Sequence, residues 1–118
     1  MTLDDFGAIQ QIDQHGTRHI LAEFPEQCRR AWDLHASPAV ALARPRVVVL
    51  VGMGGSAAGA DLLATCAAET IDVPVIVHRG YGLPAAAAEQ ALVVASSYSG
   101  DTAEVLSAVE VALARRVP

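Results

Sequence analysis

The chain has 118 residues, the length of a single domain, and carries a net charge of −5. Hydrophobic residues make up 53% and charged residues 18%, a balance that favours a buried globular core over disorder. Because aromatic residues make up only 4%, the core must be built from Ala, Val and Leu, as in many α/β proteins. The acidic balance, with no basic patch, argues against a nucleic-acid partner.

Cysteine usage and the N-terminal residues indicate the compartment. Cys28 and Cys66 are far apart and form no CxxC motif, as expected for reduced core residues of a cytoplasmic protein. The N-terminus carries Asp4 and Asp5 where a signal peptide would carry basic residues. The apolar run 47–51 is too short to cross a bilayer, and no ligand cluster indicates a metal. We therefore expect a cytoplasmic protein without a membrane partner or a metal.

Two helices are predicted ahead of the first strand. Residues 2–15 carry apolar residues at helical spacing, although Gly7 weakens the pattern, and Pro25 suits the first turn of a second helix. The apolar positions of the first helix are Leu3, Phe6, Ile9 and Ile12, and the residues expected to share one face of the second are Phe24, Cys28, Ala31, Trp32 and His35. We assign residues 1–45 to this helical segment and residues 46–118 to the following domain.

From Arg46 onward, apolar strands alternate with helices. The predicted strands are Val47–Val51, Val73–Val77, with Pro74 at its start or at an edge, and Ala91–Ser96. The predicted helices are Ser56 to about Ala68, a short helix over Pro84–Glu89, and Asp101 to about Arg115. Their expected buried positions are Leu62, Leu63 and Cys66 in the first, and Val105, Leu106, Val109, Ala112 and Leu113 in the last. This alternation predicts an α/β fold with a three-layer parallel sheet of flavodoxin-like order.

A glycine-rich turn, GMGGSA at residues 52–57, joins the first strand to the next helix. Its small residues let a ligand approach the backbone, and Ser56 stands where a helix N-cap belongs. The free amides and the helix dipole there suit an anion, commonly phosphate. The turn also matches the permissive dinucleotide fingerprint through Gly52, Gly54 and Ala57, and it could exist for tight packing alone.

A second loop, SSYSGDT at residues 96–102, follows the third strand. It offers three serines and a threonine, whose hydroxyls can donate to phosphate oxygens, and it leads into another helix. An ordinary N-cap at Ser99 or Asp101 would need only one such side chain. In a flavodoxin-like order, strands one and three are neighbours, so we expect both loops to face one crevice at the carboxyl edge.

Other nucleotide sites fit the sequence less well. A Walker loop requires a lysine, but Ser56 and Ala57 follow Gly55. An NAD site requires an acidic residue after strand two, where His78 and Arg79 stand; Arg79 leaves an NADP phosphate as a minor alternative. The nucleophile elbow GxSxG is absent from both loops.

The two loops together resemble the SIS (sugar isomerase) domain. More narrowly, residues 20–115 are similar to the first SIS half of bifunctional phosphoglucose/phosphomannose isomerases. The matching segments are GMGGSA (52–57) followed by GADLL (59–63), VPVIVHRGYGLP (73–84), LVVASSYSGDT (92–102) and FPEQ (24–27). The resemblance implies a phosphate site formed by Ser56, Ser97, Ser99 and Thr102, with Gly54 and Gly55 admitting the phosphate oxygens to the backbone.

The resemblance also implies a reaction, namely isomerisation of glucose 6-phosphate or mannose 6-phosphate to fructose 6-phosphate without a cofactor. The family's catalytic glutamate and histidine lie beyond the second loop, so we expect the catalytic base to be missing and the SIS sheet to be incomplete. A phosphosugar-binding module without turnover is therefore the alternative, and a homodimer stays open. Asp101 stands where the family often has asparagine, and we interpret it as a favourable charge at the helix N-terminus.

Three further side chains near these loops carry open interpretations. Tyr98 is expected either to pack beside the sugar or to be a half-buried packing residue, and Arg79 to be a solvated charge or the partner of an acid or anion. His78 ends strand two, where it could touch a ligand, although histidines are more often structural.

Overall fold

The computed structural model describes residues 4–34 and 43–118, which fall into two compact units within Met1–Val40 and Ala41–Pro118. The first unit contains helices α1 (Phe6–Ile12) and α2 (Thr17–Trp32). The prediction that Pro25 opens a helix is wrong, because Pro25 lies inside α2 and the helix begins eight residues earlier at Thr17. The predicted apolar positions Leu3 and His35 lie outside the described residues.

A carboxylate accepts hydrogen bonds from first-turn amides of each helix in the first unit. The Asp5 carboxylate accepts a hydrogen bond from the Ala8 amide at 3.1 Å. The Asp13 carboxylate accepts from the amides of Thr17 at 2.7 Å and Arg18 at 2.9 Å. These hydrogen bonds satisfy amides that have no intrahelical acceptor in the first turn of a helix. Helix α1 ends at Ile12, short of the predicted limit at residue 15, and Asp13 is its C-cap.

A three-stranded parallel sheet forms the centre of the second unit, with strands β1 (Val47–Val51), β2 (Val75–His78) and β3 (Ala91–Ala95) in the order β2-β1-β3. In register, Val51 pairs with His78 of β2 and with Ala95 of β3. This order confirms the predicted α/β class and the placement of strands one and three as neighbours. Pro74 immediately precedes β2, and its carbonyl accepts from the Val48 amide at 2.9 Å.

Helices α3 (Gly54–Ala67) and α4 (Ala103–Arg115) cover the sheet. The main core contains Val47, Val49 and Val51 of β1 together with Val105 and Ala108 of α4. Because successive side chains of a strand alternate between faces, the buried Leu50 points to the opposite face. Helix α3 connects β1 to β2 and packs on both strands.

Both helices bury alanines, which corrects the predicted faces. The buried residues of α3 are Ala57 and Ala67, whereas Leu62, Leu63 and Cys66 are exposed. In α4 the buried residues are Val105, Ala108 and Ala112, whereas Leu106 and Leu113 are 43% and 72% exposed. Small side chains on the inner faces let the helices lie close to the sheet. The predicted burial of Val105 and Ala112 in α4 is confirmed. Hydropathy favoured large side chains, so it wrongly selected Leu62 and Leu63 in α3 and Leu106 and Leu113 in α4.

The segment Pro84–Glu89 forms turns and not the short helix predicted from its alanines. The Ala87 amide donates to the Pro84 carbonyl at 2.9 Å, and the Ala87 side chain is 1% exposed in the core. Burial of Ala87 in the core therefore outweighs the helix propensity of the neighbouring alanines. None of the helices within 4–34 and 43–118 is long and apolar enough to span a bilayer.

Candidate anion-binding site

The two loops of interest leave the same edge of the sheet, where β1 and β3 end. The Ser96 amide donates to the Val51 carbonyl at 2.8 Å, which continues the pairing of the two strands past Ala95. A cleft of about 480 Å³ opens between the loops. Its lining residues are Met53, Gly55 and Ser56 from the first loop and Tyr98, Ser99 and Thr102 from the second. Four predicted site residues, Gly55, Ser56, Ser99 and Thr102, therefore meet at one cleft.

Gly52 sets the distance between the loops. A Cβ atom added at this position would lie 3.2 Å from the Ala57 amide nitrogen, 3.3 Å from the Ser56 carbonyl carbon and 3.3 Å from the Ser96 carbonyl oxygen. All three are backbone atoms, which cannot swing aside as the end of a side chain can. Glycine at position 52 therefore lets the start of α3 and the end of β3 approach each other.

Helix α3 begins at Gly54, and its N-cap lies three residues before the predicted N-cap at Ser56. Gly54 has a φ of +53°, a left-handed conformation that favours glycine, and Met53 is the N-cap. Ser56 lies inside the first turn, where its amide donates to the Met53 carbonyl at 3.1 Å. Gly54 contributes to the shape of this turn without lining the cleft, whereas Gly55 lines it and has open space around its α-carbon.

Three hydroxyls of the second loop form a cluster, which we call the hydroxyl cluster. Ser97 Oγ lies 3.1 Å from Thr102 Oγ1 and 3.4 Å from Ser99 Oγ, and Ser99 Oγ lies 3.3 Å from Thr102 Oγ1. Hydroxyl pairs usually sit at about 2.7–2.8 Å, so these mutual hydrogen bonds are long and weak. Backbone amides add to the cluster, since Gly100 donates to Ser97 Oγ at 3.1 Å and Asp101 donates to Ser99 Oγ at 3.3 Å.

The N-cap of α4 is Thr102. The alternative interpretation of this loop, an ordinary N-cap at Ser99 or Asp101, is therefore wrong. Thr102 has the extended backbone of an N-cap, with φ −78° and ψ 117°, yet its side chain makes no capping hydrogen bond. Met53, the N-cap of α3, makes none either. Carboxylates accept from first-turn amides of α1 and α2, whereas the N-cap residues of the two helices that begin at the cleft make no side-chain capping hydrogen bond.

Among the residues that the structure describes, none that lines the cleft carries a charged side chain. Arg79 is paired with Asp61 of α3, and it also donates to the Ala57 carbonyl at 3.4 Å. This ion pair decides between the sequence interpretations of Arg79, which has an acidic neighbour as its partner. Asp101 is exposed, and Glu104 lies in the first turn of α4. Any anion in the cleft would therefore be held by neutral donors and by the helix dipoles.

Tyr98 is fully exposed at the edge of the cleft, so the interpretation of a half-buried packing residue is wrong. His78 ends β2 as predicted but does not line the cleft, and its buried Nε2 has no hydrogen-bond partner among residues 4–34 and 43–118. Within the same ranges, no group of three or more His, Cys, Asp and Glu side chains is placed to hold a metal ion.

Met53 is a lining residue that the sequence analysis did not select. It stands between two selected glycines, and its half-buried side chain packs against the core. The sequence signal for Met53 was its position immediately before Gly54, because glycine readily adopts the left-handed conformation that Gly54 has at the start of α3. Ser97 was selected correctly as part of the loop, but it contacts the cleft residues Ser99 and Thr102 rather than lining the cleft.

Comparison with known proteins gives one informative relationship. No family model and no solved structure matches the chain. The chain is 42% identical over 93 residues to a bifunctional phosphoglucose/phosphomannose isomerase of Caldicellulosiruptor bescii. The match covers 77% of this chain and 27% of the relative, so the chain corresponds to about a quarter of that protein's length. This identity supports a relationship to the phosphoglucose/phosphomannose isomerase family.

Proposed function

We propose that the cleft binds the phosphate group of a hexose phosphate. In this proposal residues 46–118 form part of an SIS domain, and the chain supplies the substrate-holding part of an aldose–ketose isomerase. The reaction is the interconversion of glucose 6-phosphate or mannose 6-phosphate with fructose 6-phosphate. Ser99 and Thr102 donate hydroxyl hydrogen bonds to the phosphate, and Ser56 and the Gly55 amide complete its surroundings from the first loop.

The observation that carries the proposal is the convergence of two uncapped helix N-termini on one hydroxyl-lined cleft. A phosphate group has several acceptor oxygens and a negative charge, and it complements free amides, hydroxyls and the positive ends of helix dipoles. The weak mutual bonds of the hydroxyl cluster, at 3.1–3.4 Å, are easily exchanged for stronger bonds to a charged acceptor. The identity of 42% to a sugar-phosphate isomerase supports the same ligand class.

A second candidate is a phosphosugar-binding module without turnover. Isomerisation between C1 and C2 requires a positioned base, and within 4–34 and 43–118 the residues that line the cleft include no carboxylate, imidazole or amine. An NADP site is a weaker candidate, because Arg79 is already paired with Asp61. In all three cases an anion binds at the cleft, so the choice of ligand in the experiment must separate them.

Ligand-dependent thermal stability tests the proposal. Fructose 6-phosphate should raise the melting temperature of the chain, whereas fructose and NADPH at the same concentration should not. Stabilisation by NADPH alone would contradict a sugar-phosphate site. A coupled isomerase assay then separates the two remaining candidates, since turnover by the chain itself would contradict the non-catalytic module.

Replacing two cluster hydroxyls tests the assigned residues. Ser99→Ala combined with Thr102→Ala should weaken fructose 6-phosphate binding about a hundredfold or more, because each hydrogen bond to a charged group contributes about 1.5–3 kcal/mol. Thr65→Ala is the matched control, since its exposed hydroxyl on α3 donates to the Asp61 carbonyl at 2.8 Å and does not line the cleft. Equal affinities of the double variant and the control, measured by isothermal titration calorimetry, would refute the assignment.

A further inference from the structure

Helix α2 carries an exposed apolar stripe. Its members lie within a sector of about 120° around the helix axis, and the charged side chains of α2 lie outside that sector. The stripe consists of Ile20, Leu21, Phe24, Cys28, Ala31 and Trp32, all of them exposed. Helix α1 lies against a different side of α2, because the cleft between the two helices is lined on α2 by Arg18, His19 and Ala22. The stripe is therefore not the surface that α1 covers.

The stripe is large enough for a small protein interface. Trp32 and Phe24 are 89% and 60% exposed, and a fully covered aromatic side chain buries about 150–250 Å². Ile20 and Leu21 are each more than half exposed, so two stripes packed together would bury about 1,000 Å² in total. A specific interface requires about 1,000 Å² or more, which the pair of stripes therefore reaches.

The order of side chains in the stripe is self-complementary about a twofold axis. When two copies of α2 pair antiparallel with the axis at position 26, Phe24 of one copy lies opposite Cys28 of the other. Leu21 lies opposite Ala31 in the same arrangement. Each of these pairs sets a large side chain against a small one, which lets the two helices interdigitate at the usual interaxial distance of about 8–10 Å.

Charges beside the stripe fit the same arrangement. Glu23 and Arg30 lie on one flank of α2, and they are seven residues apart, too far for an ion pair within one helix. Within one copy, Glu23 lies 3.2 Å from His19. An antiparallel twofold sets this flank of one copy beside the same flank of the other, where Glu23 lies opposite position 29, one residue from Arg30. Two ion pairs between Glu23 and Arg30 would therefore join the copies.

We propose that α2 is the interface of a homodimer, in which the stripe of a second copy of this chain covers the stripe of the first in antiparallel orientation. A second copy is the occupant that supplies both the complementary side-chain sizes and the complementary charges. The inference does not depend on the proposed anion site, which lies within the unit Ala41–Pro118.

Sedimentation equilibrium of the full chain tests the dimer. The wild type should change from the mass of one chain, 12.3 kDa, to that of two as its concentration rises from about 1 to 500 μM, a range that suits an interface of this small size. Phe24→Glu should stay monomeric, because it places a charge in the middle of the stripe. Leu62→Glu is the matched control, since Leu62 is 70% exposed on α3, and it should dimerise as the wild type does. A wild type that stays monomeric, or loss of the dimer in Leu62→Glu but not in Phe24→Glu, overturns the inference.

Exchange of the flanking charges tests the antiparallel arrangement. Glu23→Arg alone should weaken the dimer about tenfold or more, because two attractive pairs become repulsive. Arg30→Glu alone should weaken it to a similar extent. The double variant should recover the dissociation constant of the wild type, and circular dichroism should show the same helix content in all three variants. A double variant that is weaker than either single variant contradicts the antiparallel interface.

Cysteine cross-linking locates the contact. In a Cys66→Ser chain, whose remaining cysteine is Cys28, a short bismaleimide should link two copies, because each Cys28 lies about 6 Å along the helix from that of the other copy. Cys28→Ser, which keeps the exposed Cys66, should stay unlinked. Linkage through Cys66 overturns the inference. So does a Cys28 that fails to react with a monofunctional maleimide in the monomer, since another part of the same chain would then cover the stripe.

Discussion

Gly52→Ala should both destabilise the sheet unit and open the cleft. The added methyl group would lie at 3.2–3.3 Å from backbone atoms of Ala57, Ser56 and Ser96, which belong to two different segments. Relief requires α3 and the end of β3 to separate by a few tenths of an ångström, against the hydrogen bond from the Ser96 amide to the Val51 carbonyl at 2.8 Å. Overpacking of this kind costs about 1–3 kcal/mol, which lowers the melting temperature of a small domain by roughly 5–20 °C.

Chemical denaturation followed by circular dichroism measures this loss, and titration calorimetry with fructose 6-phosphate measures the effect on the cleft. Gly59→Ala is the matched control, because it also replaces a glycine by alanine, but within α3 and with nothing within 4 Å of the new methyl group. The control should gain about 0.5–1 kcal/mol from helix propensity and keep its affinity. If Gly52→Ala is as stable as the wild type and binds equally well, the close approach of the two loops does not depend on this glycine.

Two further predictions concern charged residues. Arg79→Gln should lower the free energy of unfolding by less than about 1 kcal/mol in denaturation experiments, because the ion pair of Arg79 with Asp61 is about half exposed. The variant should bind fructose 6-phosphate as tightly as the wild type, and a large loss of affinity would instead mean that Arg79 contacts the anion. Hydrogen bonds from the amides of Arg18 and Thr17 lower the pKa of Asp13 below its ordinary value of 3.8. The ionised carboxylate therefore stabilises the fold above pH 3.8, and this stabilisation is lost as the pH falls through the lowered pKa. An NMR titration of the Asp13 carboxyl that gives a midpoint at or above 3.8 would contradict this capping of α2.

The parallel sheet and the closeness of the two loops could be predicted from the sequence. Local patterns identify the strands and loops, and the flavodoxin-like strand order then places both loops at one edge of the sheet. The continuous apolar run Val47–Val51 has exactly the limits of β1, and the alternation of strands and helices fixed the parallel order. Once strands one and three are neighbours in a parallel sheet, their carboxyl ends must share an edge. Loops rich in glycine and hydroxyls at that edge then lie together, as Ser56 and Ser99 do at the cleft.

The buried face of α3 and the N-caps of α3 and α4 could not be predicted, because tertiary contacts decide them, whereas Val105 and Ala112 of α4 were predicted correctly as buried. Leu63 and Ala67 are four residues apart and lie on the same side of α3, yet Ala67 is buried and Leu63 is 56% exposed. Periodicity alone therefore could not identify the buried residues, which the close approach of α3 to the sheet selects. Similarly, serine is a preferred N-cap residue, but the left-handed Gly54 starts α3 before Ser56. In both cases local propensity is overruled by the geometry of the turn after β1.

That geometry links the packing of α3 to the chemistry of the cleft. Ala57 is fully buried on the inner face of the helix, and its amide nitrogen is the atom nearest to a Cβ added at Gly52. A larger side chain at either position would move the first turn of α3 away from β3, and with it Gly55 and Ser56 away from the hydroxyl cluster. Because neutral donors hold an anion only through direct hydrogen bonds, which require donor–acceptor distances of about 2.7–3.2 Å, such a site has little tolerance for this displacement. The small residues Ala57 and Gly52 are therefore a condition for the proposed anion binding as well as for packing.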